Sequence, residues 1–228
     1  MDERARIEGF LRGDPALHAY ELGDLDPFYE GRIAWAVAED AVALLFEGGT
    51  LVCMVPGEPA RSLIRAMTLP DRLYAHVREG VVDALPHRVG RRIPSVRMRL
   101  ATPVRGSVAT EALGPPSADE LSAFYAEAYP DNFFDPRMLQ AEPYAGLREG
   151  GRLVAVAGLH VWSPAHRVAA IGNVAVHPDA RGRGLGGSVT AALCERIANR
   201  VDTVALNVHA DNVAARRAYA RIGFVEHA

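Results

Sequence analysis

The chain has 228 residues, 49% of them hydrophobic and 23% charged, with a net charge of −3. That length is generous for one average domain and comfortable for two small ones, and the apolar share can bury a core, which excludes global disorder. So small a net charge gives no basis for a nucleic-acid partner or for an anionic membrane surface.

No apolar run follows the opening MDERARIEGF, and no span of about 18 apolar residues occurs later, so a soluble, cytoplasmic protein without a membrane partner is expected. Residues 1–12 read as helix, with breaks at Gly13-Asp14-Pro15 and Gly23-Asp24. Three strand-like runs follow, GRIAWAVAE, AVALLFEG and TLVCMVP, the last two joined by a hairpin turn at Gly48-Gly49. EPARSLIRAM reads as a helix, RLYAHV is ambiguous, EGVVDAL reads as a helix and SVRMRLA as a strand. The stretch ATPVRGSVATEALGPPS is rich in Gly, Pro, Ser and Thr, which places a linker or crossing strand at about residues 103–116. Two lobes, 1–104 and 105–228, follow from that boundary.

Ser117-x-x-Glu120 has the form of a capping box opening the helix ADELSAFYAEAY. Pro130-Asp131-Asn132 breaks it, and Asp135-Pro136 restarts a short turn at RMLQ. AGLRE, RLVAVAGLHVW and HRVAAIGNVAV form an expected antiparallel meander, turned at Gly150-Gly151 and Ser163-Pro164. Pro178-Asp179 then starts a turn, and from Leu185 the apolar residues fall on one helical face. Gly182, Gly184, Gly186 and Gly187 therefore sit where a loop becomes a helix N-terminus. Free backbone N–H groups and the positive end of the dipole favour a phosphate there. Arg181 and Arg183 add two permanent charges. DTVALNVHA is a strand, Asp211 is a suitable N-cap for the helix carrying Tyr219, and Gly223 is placed to end it. FVEHA supplies one short last strand.

Arg181-x-x-Gly184-x-Gly186 after a strand resembles the acyl-coenzyme A pyrophosphate loop of the GNAT N-acetyltransferase superfamily. Downstream, Asn212, Ala215, Tyr219, Gly223 and Phe224 match the spacing of that family's later Asn–Ala–Tyr–Gly–Phe segment. The detailed match covers roughly residues 150–225. GRGLGG also matches the dinucleotide fingerprint G-x-G-x-x-G, but its context fails. His-Pro-Asp-Ala-Arg separates strand from first glycine, and Asp202 would begin a strand instead of ending one.

The resemblance implies an α/β (α+β) GNAT fold, a mixed, mostly antiparallel sheet flanked by helices. The N-terminal strands and helices repeat that plan without the arginine–glycine loop, so the first lobe is expected to be a degenerate, carrier-free copy. The family usually closes its sheet with two strands, so either a shortened edge or one completed by the N-terminal half is expected. The implied activity is acetyl transfer from acetyl-CoA to an amine by direct attack in a ternary complex. A non-catalytic acyl-CoA-binding module, and an acyltransferase with a longer donor or a non-amine acceptor, stay as alternatives. A homodimer is compatible with the resemblance, and no metal is implied.

By the resemblance, acetyl-CoA would be held by backbone groups of Val174, Ala175 and Val176, by Arg181, Gly182, Arg183, Gly184, Leu185 and Gly186, and by Asn212 and Tyr219. Tyr219 would protonate the departing thiolate. Many relatives carry a glutamate on the strand before the loop, whereas HRVAAIGNVAV has no carboxylate. His160 on the neighbouring strand has a pKa suited to proton abstraction near neutrality. Asn173 can position a water, and His166, His177 and His209 at strand ends are expected to be solvated. Asp131, Glu142 and Tyr144 lie where the family builds its acceptor site. Cys53 and Cys194 lack metal spacing and suit a reducing compartment, Cys194 as a packed thiol. The tandem arrangement resembles that of glycine acyltransferases and mycothiol synthase, which weights small-molecule acceptors above protein lysines.

Overall fold

The computed structural model describes residues 2–102, 108–140 and 143–228. Two compact units divide the chain between Arg92 and Ile93. The expected boundary at 104/105 falls among residues outside the described set.

The first unit begins with α1 (Glu3–Leu11) and α2 (Ala19–Asp24). A four-stranded sheet follows, β1 (Ile33–Val37), β2 (Val42–Phe46), β3 (Thr50–Cys53) and β4 (Tyr74–Val77), with α3 (Gly57–Ala66) between β3 and β4. β1, β2 and β3 are antiparallel neighbours, and β4 joins β3 in parallel, which is why a helix must cross between them. The RLYAHV segment is thus a strand, and EGVVDAL winds as a 3₁₀ turn over Glu79–Ala84 instead of an α-helix. Leu51, Cys53, Ala60, Ile64 and Val81 form the core of this unit. The buried Cys53 thiol is pushed up to about 11, chiefly by desolvation, so it behaves as a packing group.

The second unit contains β5 (Ser95–Leu100), β6 (Glu111–Leu113), α4 (Ala118–Ala128), β7 (Tyr144–Glu149), β8 (Arg152–Ser163), β9 (Val168–Val176), α5 (Leu185–Ile197), β10 (Thr203–His209), α6 (Val213–Arg221) and β11 (Phe224–Glu226). Its seven-stranded sheet has the order β11-β5-β10-β9-β8-β7-β6. β7, β8 and β9 form the expected meander, and β10 joins β9 in parallel after α5. The meander, crossing helix and parallel strand of the first unit have the same connectivity.

The strand at 95–100, which the linker reading left with the N-terminal lobe, belongs to this second sheet. It lies between β10 and β11, antiparallel to both, with Met98 opposite Leu206 and Leu100 opposite Phe224. A strand from the N-terminal half therefore completes the sheet that FVEHA alone would leave short. Gly223 makes the junction possible, because it has φ +98° and a Cβ there would lie 1.6 Å from the Thr102 carbonyl oxygen.

One face of the sheet carries α5 and α6, with Val189 and Leu193 of α5 packed in one core with Leu159, Ile171 and Phe224 of the strands. The opposite face carries α4 over Tyr144, Val156 and Ala175. Ser117 stands at the N-cap of α4, but its side chain makes no capping bond. The capping box is absent because Arg148 takes both carboxylate oxygens of Glu120, at 2.5 and 2.6 Å. Among the described residues no helix is long and apolar enough to cross a membrane.

Candidate active site

The site grows out of a fault in the sheet. β9 and β10 pair only over Val168–Ile171 and Thr203–Leu206. Beyond those residues β9 runs on to Val176 and β10 to His209 with no ladder between them. The cause lies in β9, where Asn173 has φ +51° and the register against β8 shifts. A bulge of this kind bends its strand away from one neighbour. Past it, Val174 and Val176 pack toward α5, while Ala175 packs toward α4. The backbone edge of β9 that would have met β10 is left open to pair with an extended ligand.

At the end of β9 a 3₁₀ turn at Pro178–Ala180 leads into the glycine loop. Gly182 and Gly184 both have φ +77°, and a Cβ built on either would meet nothing within 4 Å. These glycines are therefore required by backbone conformation, and the space around them is open. α5 begins at Leu185 with no side-chain cap, and its first intrahelical bond is donated by Ser188 to the Gly184 carbonyl at 3.1 Å. The amides of Leu185, Gly186 and Gly187 precede that bond and point out of the helix start. Gly186 lets the helix settle on the strand, since a Cβ there would already be 3.4 Å from Val176 Cγ2. An anion fits this end of α5 on both shape and dipole.

The two arginines do not simply add charge to that spot. Arg181 Nε donates to the Val176 carbonyl at 3.2 Å and its Nη2 to the Ala128 carbonyl at 2.8 Å, tying the loop to β9 and α4. Arg183 is paired with Glu149 at 2.6 and 2.9 Å, a bond that lowers the carboxyl pKa of Glu149. Both guanidinium groups are therefore engaged with protein partners, one with backbone carbonyls and one with a carboxylate.

Asn212, not Asp211, is the N-cap of α6, its Oδ1 accepting from the Ala215 amide at 3.0 Å. In the last turn of that helix Tyr219 is half-buried, with its ring tilted against Phe224 at 6.0 Å between centroids. Tyr219 thus lies on the α5–α6 face of the sheet.

On the α4 face the bulge anchors a chain of polar groups. His160 Nε2 lies 3.2 Å from Asn173 Oδ1, and Asn173 Nδ2 donates to the Tyr144 hydroxyl at 2.9 Å. The Tyr144 hydroxyl in turn donates to the Leu159 carbonyl at 3.3 Å. Tyr125 of α4 donates to the Asn173 carbonyl at 2.6 Å, and burial raises its pKa well above 10.0, so it remains a neutral donor. Two strand glycines make room for the rings. A Cβ on Gly158 would lie 2.1 Å from the Tyr144 ring, and one on Gly172 would lie 2.3 Å from that of His160. Glycine inside a strand signals such close approach, so this pair was readable in the sequence and was missed.

His160 is half-buried beside Phe133, which is 55% exposed, with ring centroids 6.2 Å apart. His166 and His177 are buried, contrary to the expected solvation, because a turn and a salt-bridged cluster cover them. His177 accepts from the Asp179 amide at Nδ1 (3.3 Å) and meets Glu127 at Nε2 (3.1 Å). His209 and Asp131 are exposed, Tyr144 is 1% exposed, and Glu142 lies outside the described residues. Cys194 is pushed up to about 12 by burial, as suits a packed thiol and not a nucleophile. No cluster of metal-ligating residues occurs among the described residues.

The model of the Acetyltransferase (GNAT) family matches residues 113–224. A mycothiol acetyltransferase from Mycobacterium avium is 33% identical over 190 residues, which cover 75% of this chain and 58% of that protein. The chain thus spans little more than half the length of that curated relative. Among solved structures, an acetyltransferase of the GNAT family from Colwellia psychrerythraea aligns with a TM-score of 0.59 at 14% identity, over 99% of this chain and 94% of that one. A GCN5-related N-acetyltransferase from Kribbella flavida aligns with a TM-score of 0.54 at 21% identity, over 99% and 93%. At these identities the likeness is one of fold.

Proposed function

From the chain's membership of the GNAT acetyltransferase family, carried by residues 113–224, we propose that it transfers the acetyl group of acetyl-CoA to an amine of a small-molecule acceptor. The observation that carries this reading is the split between β9 and β10, which ends in an uncapped, glycine-lined helix start. The amides of Leu185 and Gly186, flanked by Gly182 and Gly184, hold the pyrophosphate. Arg181 keeps that loop in place, and Arg183 is a lesser contributor while it is paired with Glu149. The pantetheine arm pairs with the open edge of Val174, Ala175 and Val176 as an added strand would. Asn212 caps the helix that brings Tyr219 to the carrier.

The reacting carbon sits at the split, where the two faces of the sheet meet. The acceptor arrives from the α4 face, and His160 takes its proton as the amine nitrogen attacks the thioester carbon. The C–S bond breaks, and the Tyr219 hydroxyl protonates the departing thiolate. Solvent then returns a proton to Tyr219 and removes one from His160. The mycothiol acetyltransferase relatives support a small acceptor over a protein lysine. The first unit repeats the connectivity of the second but lacks an Arg-x-x-Gly-x-Gly loop between β3 and α3, which supports a degenerate, carrier-free lobe.

The test is a screen of primary amines, amino acids and amino sugars with the purified 228-residue chain and acetyl-CoA, reading release of free thiol. Acceptor-dependent thiol release is expected with at least one amine. Tight acetyl-CoA binding without turnover on any acceptor would favour a non-catalytic binding module. Turnover only with longer acyl donors or hydroxyl acceptors would move the assignment within the acyltransferases.

A further inference from the structure

We propose, resting on the reading of the loop at 181–186 as the carrier's pyrophosphate site, that Glu149 is a positioning residue for Arg183: its carboxylate holds the guanidinium in a phosphate's place, the carrier's phosphate displaces it, and the pair re-forms as coenzyme A leaves.

The two arginines of the loop differ in what they hold. Arg181 is braced by the neutral backbone carbonyls of Val176 and Ala128, partners that an incoming anion does not replace. Arg183 is held by an anion, with its Nη1 2.9 Å from Glu149 Oε2 and its Nη2 2.6 Å from Oε1. Two nitrogens on two oxygens form the fork that a guanidinium makes with carboxylate and with phosphate alike. Glu149 thus gives Arg183 the bonds a phosphate would give, and the two anions compete for one cation.

The fold puts the competitor in place and leaves it easy to remove. Glu149 ends β7 opposite Arg152, at the turn into β8, and β8 runs antiparallel to β9 with Ala155 opposite Val176. The hairpin end and the glycine loop after β9 therefore share one end of the sheet. The pair is exposed, at 51% for the Arg183 side chain and 42% for that of Glu149, so water solvates both groups when they part. Exposed pairs of this kind are weak. The bond to Arg183 also keeps the Glu149 carboxyl below its ordinary range, so it is charged near neutral pH. A weak competing bond moderates carrier affinity, which suits an enzyme that must release coenzyme A after every turnover.

The test uses the 228-residue chain, coenzyme A as the probe, and the variants Glu149→Gln, Arg183→Gln and the two combined. Calorimetry should show Glu149→Gln binding coenzyme A about 1.5- to 5-fold more tightly than the parent, the range set by an exposed ion pair, and stopped flow should show slower release. Arg183→Gln should bind more weakly than the parent, and removing Glu149 should gain less in that background than in the parent. In ¹³C spectra the Glu149 carboxyl, identified by its absence from Glu149→Gln, should titrate at higher pH with coenzyme A bound than without, because the bond that lowers it has gone. A carboxyl unmoved by saturating coenzyme A overturns the proposal, and so does parental affinity in Glu149→Gln or in Arg183→Gln. A gain from Glu149→Gln as large without Arg183 as with it is a general effect of charge, and overturns it too. In each of these cases coenzyme A still binds and the carrier reading stands. No binding of coenzyme A by the parent removes the carrier reading and this proposal together.

Discussion

Tyr219→Phe should lose about 100- to 10,000-fold in kcat while binding acetyl-CoA nearly as well as the parent, the range expected when a general acid is deleted. The ring that packs against Phe224 at 6.0 Å is retained, so the core under α6 should be undisturbed. On the proposed mechanism, what disappears is the proton for the thiolate. A tyrosine of purely structural value gives the opposite pattern, a stability loss of about 1 kcal/mol for one hydrogen bond with near-parental turnover of the folded fraction. Melting temperature, carrier affinity and kcat measured on one preparation separate the two. Near-parental kcat in a folded Phe variant would strip Tyr219 of its role.

Gly184→Asp should abolish productive binding of acetyl-CoA while leaving the fold in place. Gly184 has φ +77° with open space around its Cβ position, and Asp and Asn enter that region more readily than other side chains. The carboxylate would stand where the α5 amides converge, repelling the pyrophosphate and competing for the same donors. Gly184→Asn has a similar shape and backbone tolerance without the charge. Asp should therefore bind acetyl-CoA at least about 10- to 100-fold more weakly than Asn, or about 1.4 to 2.8 kcal/mol, as read by calorimetry. Equal affinities in the two variants would mean that no phosphate lies against this helix start.

The parts of the fold that were legible in the sequence are those encoded locally. The glycines at 182 and 184, Pro178 and the apolar stripe from Leu185 specify a loop and a helix start through backbone conformation alone. The meander was equally clear, since Gly150-Gly151 and Ser163-Pro164 mark its turns. What was not legible depends on partners far along the chain. Alternation in SVRMRL identifies a strand but not its sheet, and the choice of β10 and β11 as neighbours rests on Gly223 yielding space to Thr102. The capping box failed because Arg148 reached Glu120 from β7. Arg181 and Arg183 looked alike in sequence, yet one braces backbone carbonyls and the other is neutralised by Glu149. The bulge at Asn173 depends on a register shift against β8, and although the neighbouring Gly172 is a local sign of irregularity, it does not fix that register.

On the proposed function, the second unit alone holds the acyl carrier, at the split between β9 and β10. Calorimetric titration of the full chain with acetyl-CoA tests it most directly. The expected result is one molecule bound per chain, with that binding lost in Gly184→Asp. Two molecules per chain, no binding at all, or undiminished binding in Gly184→Asp would contradict it.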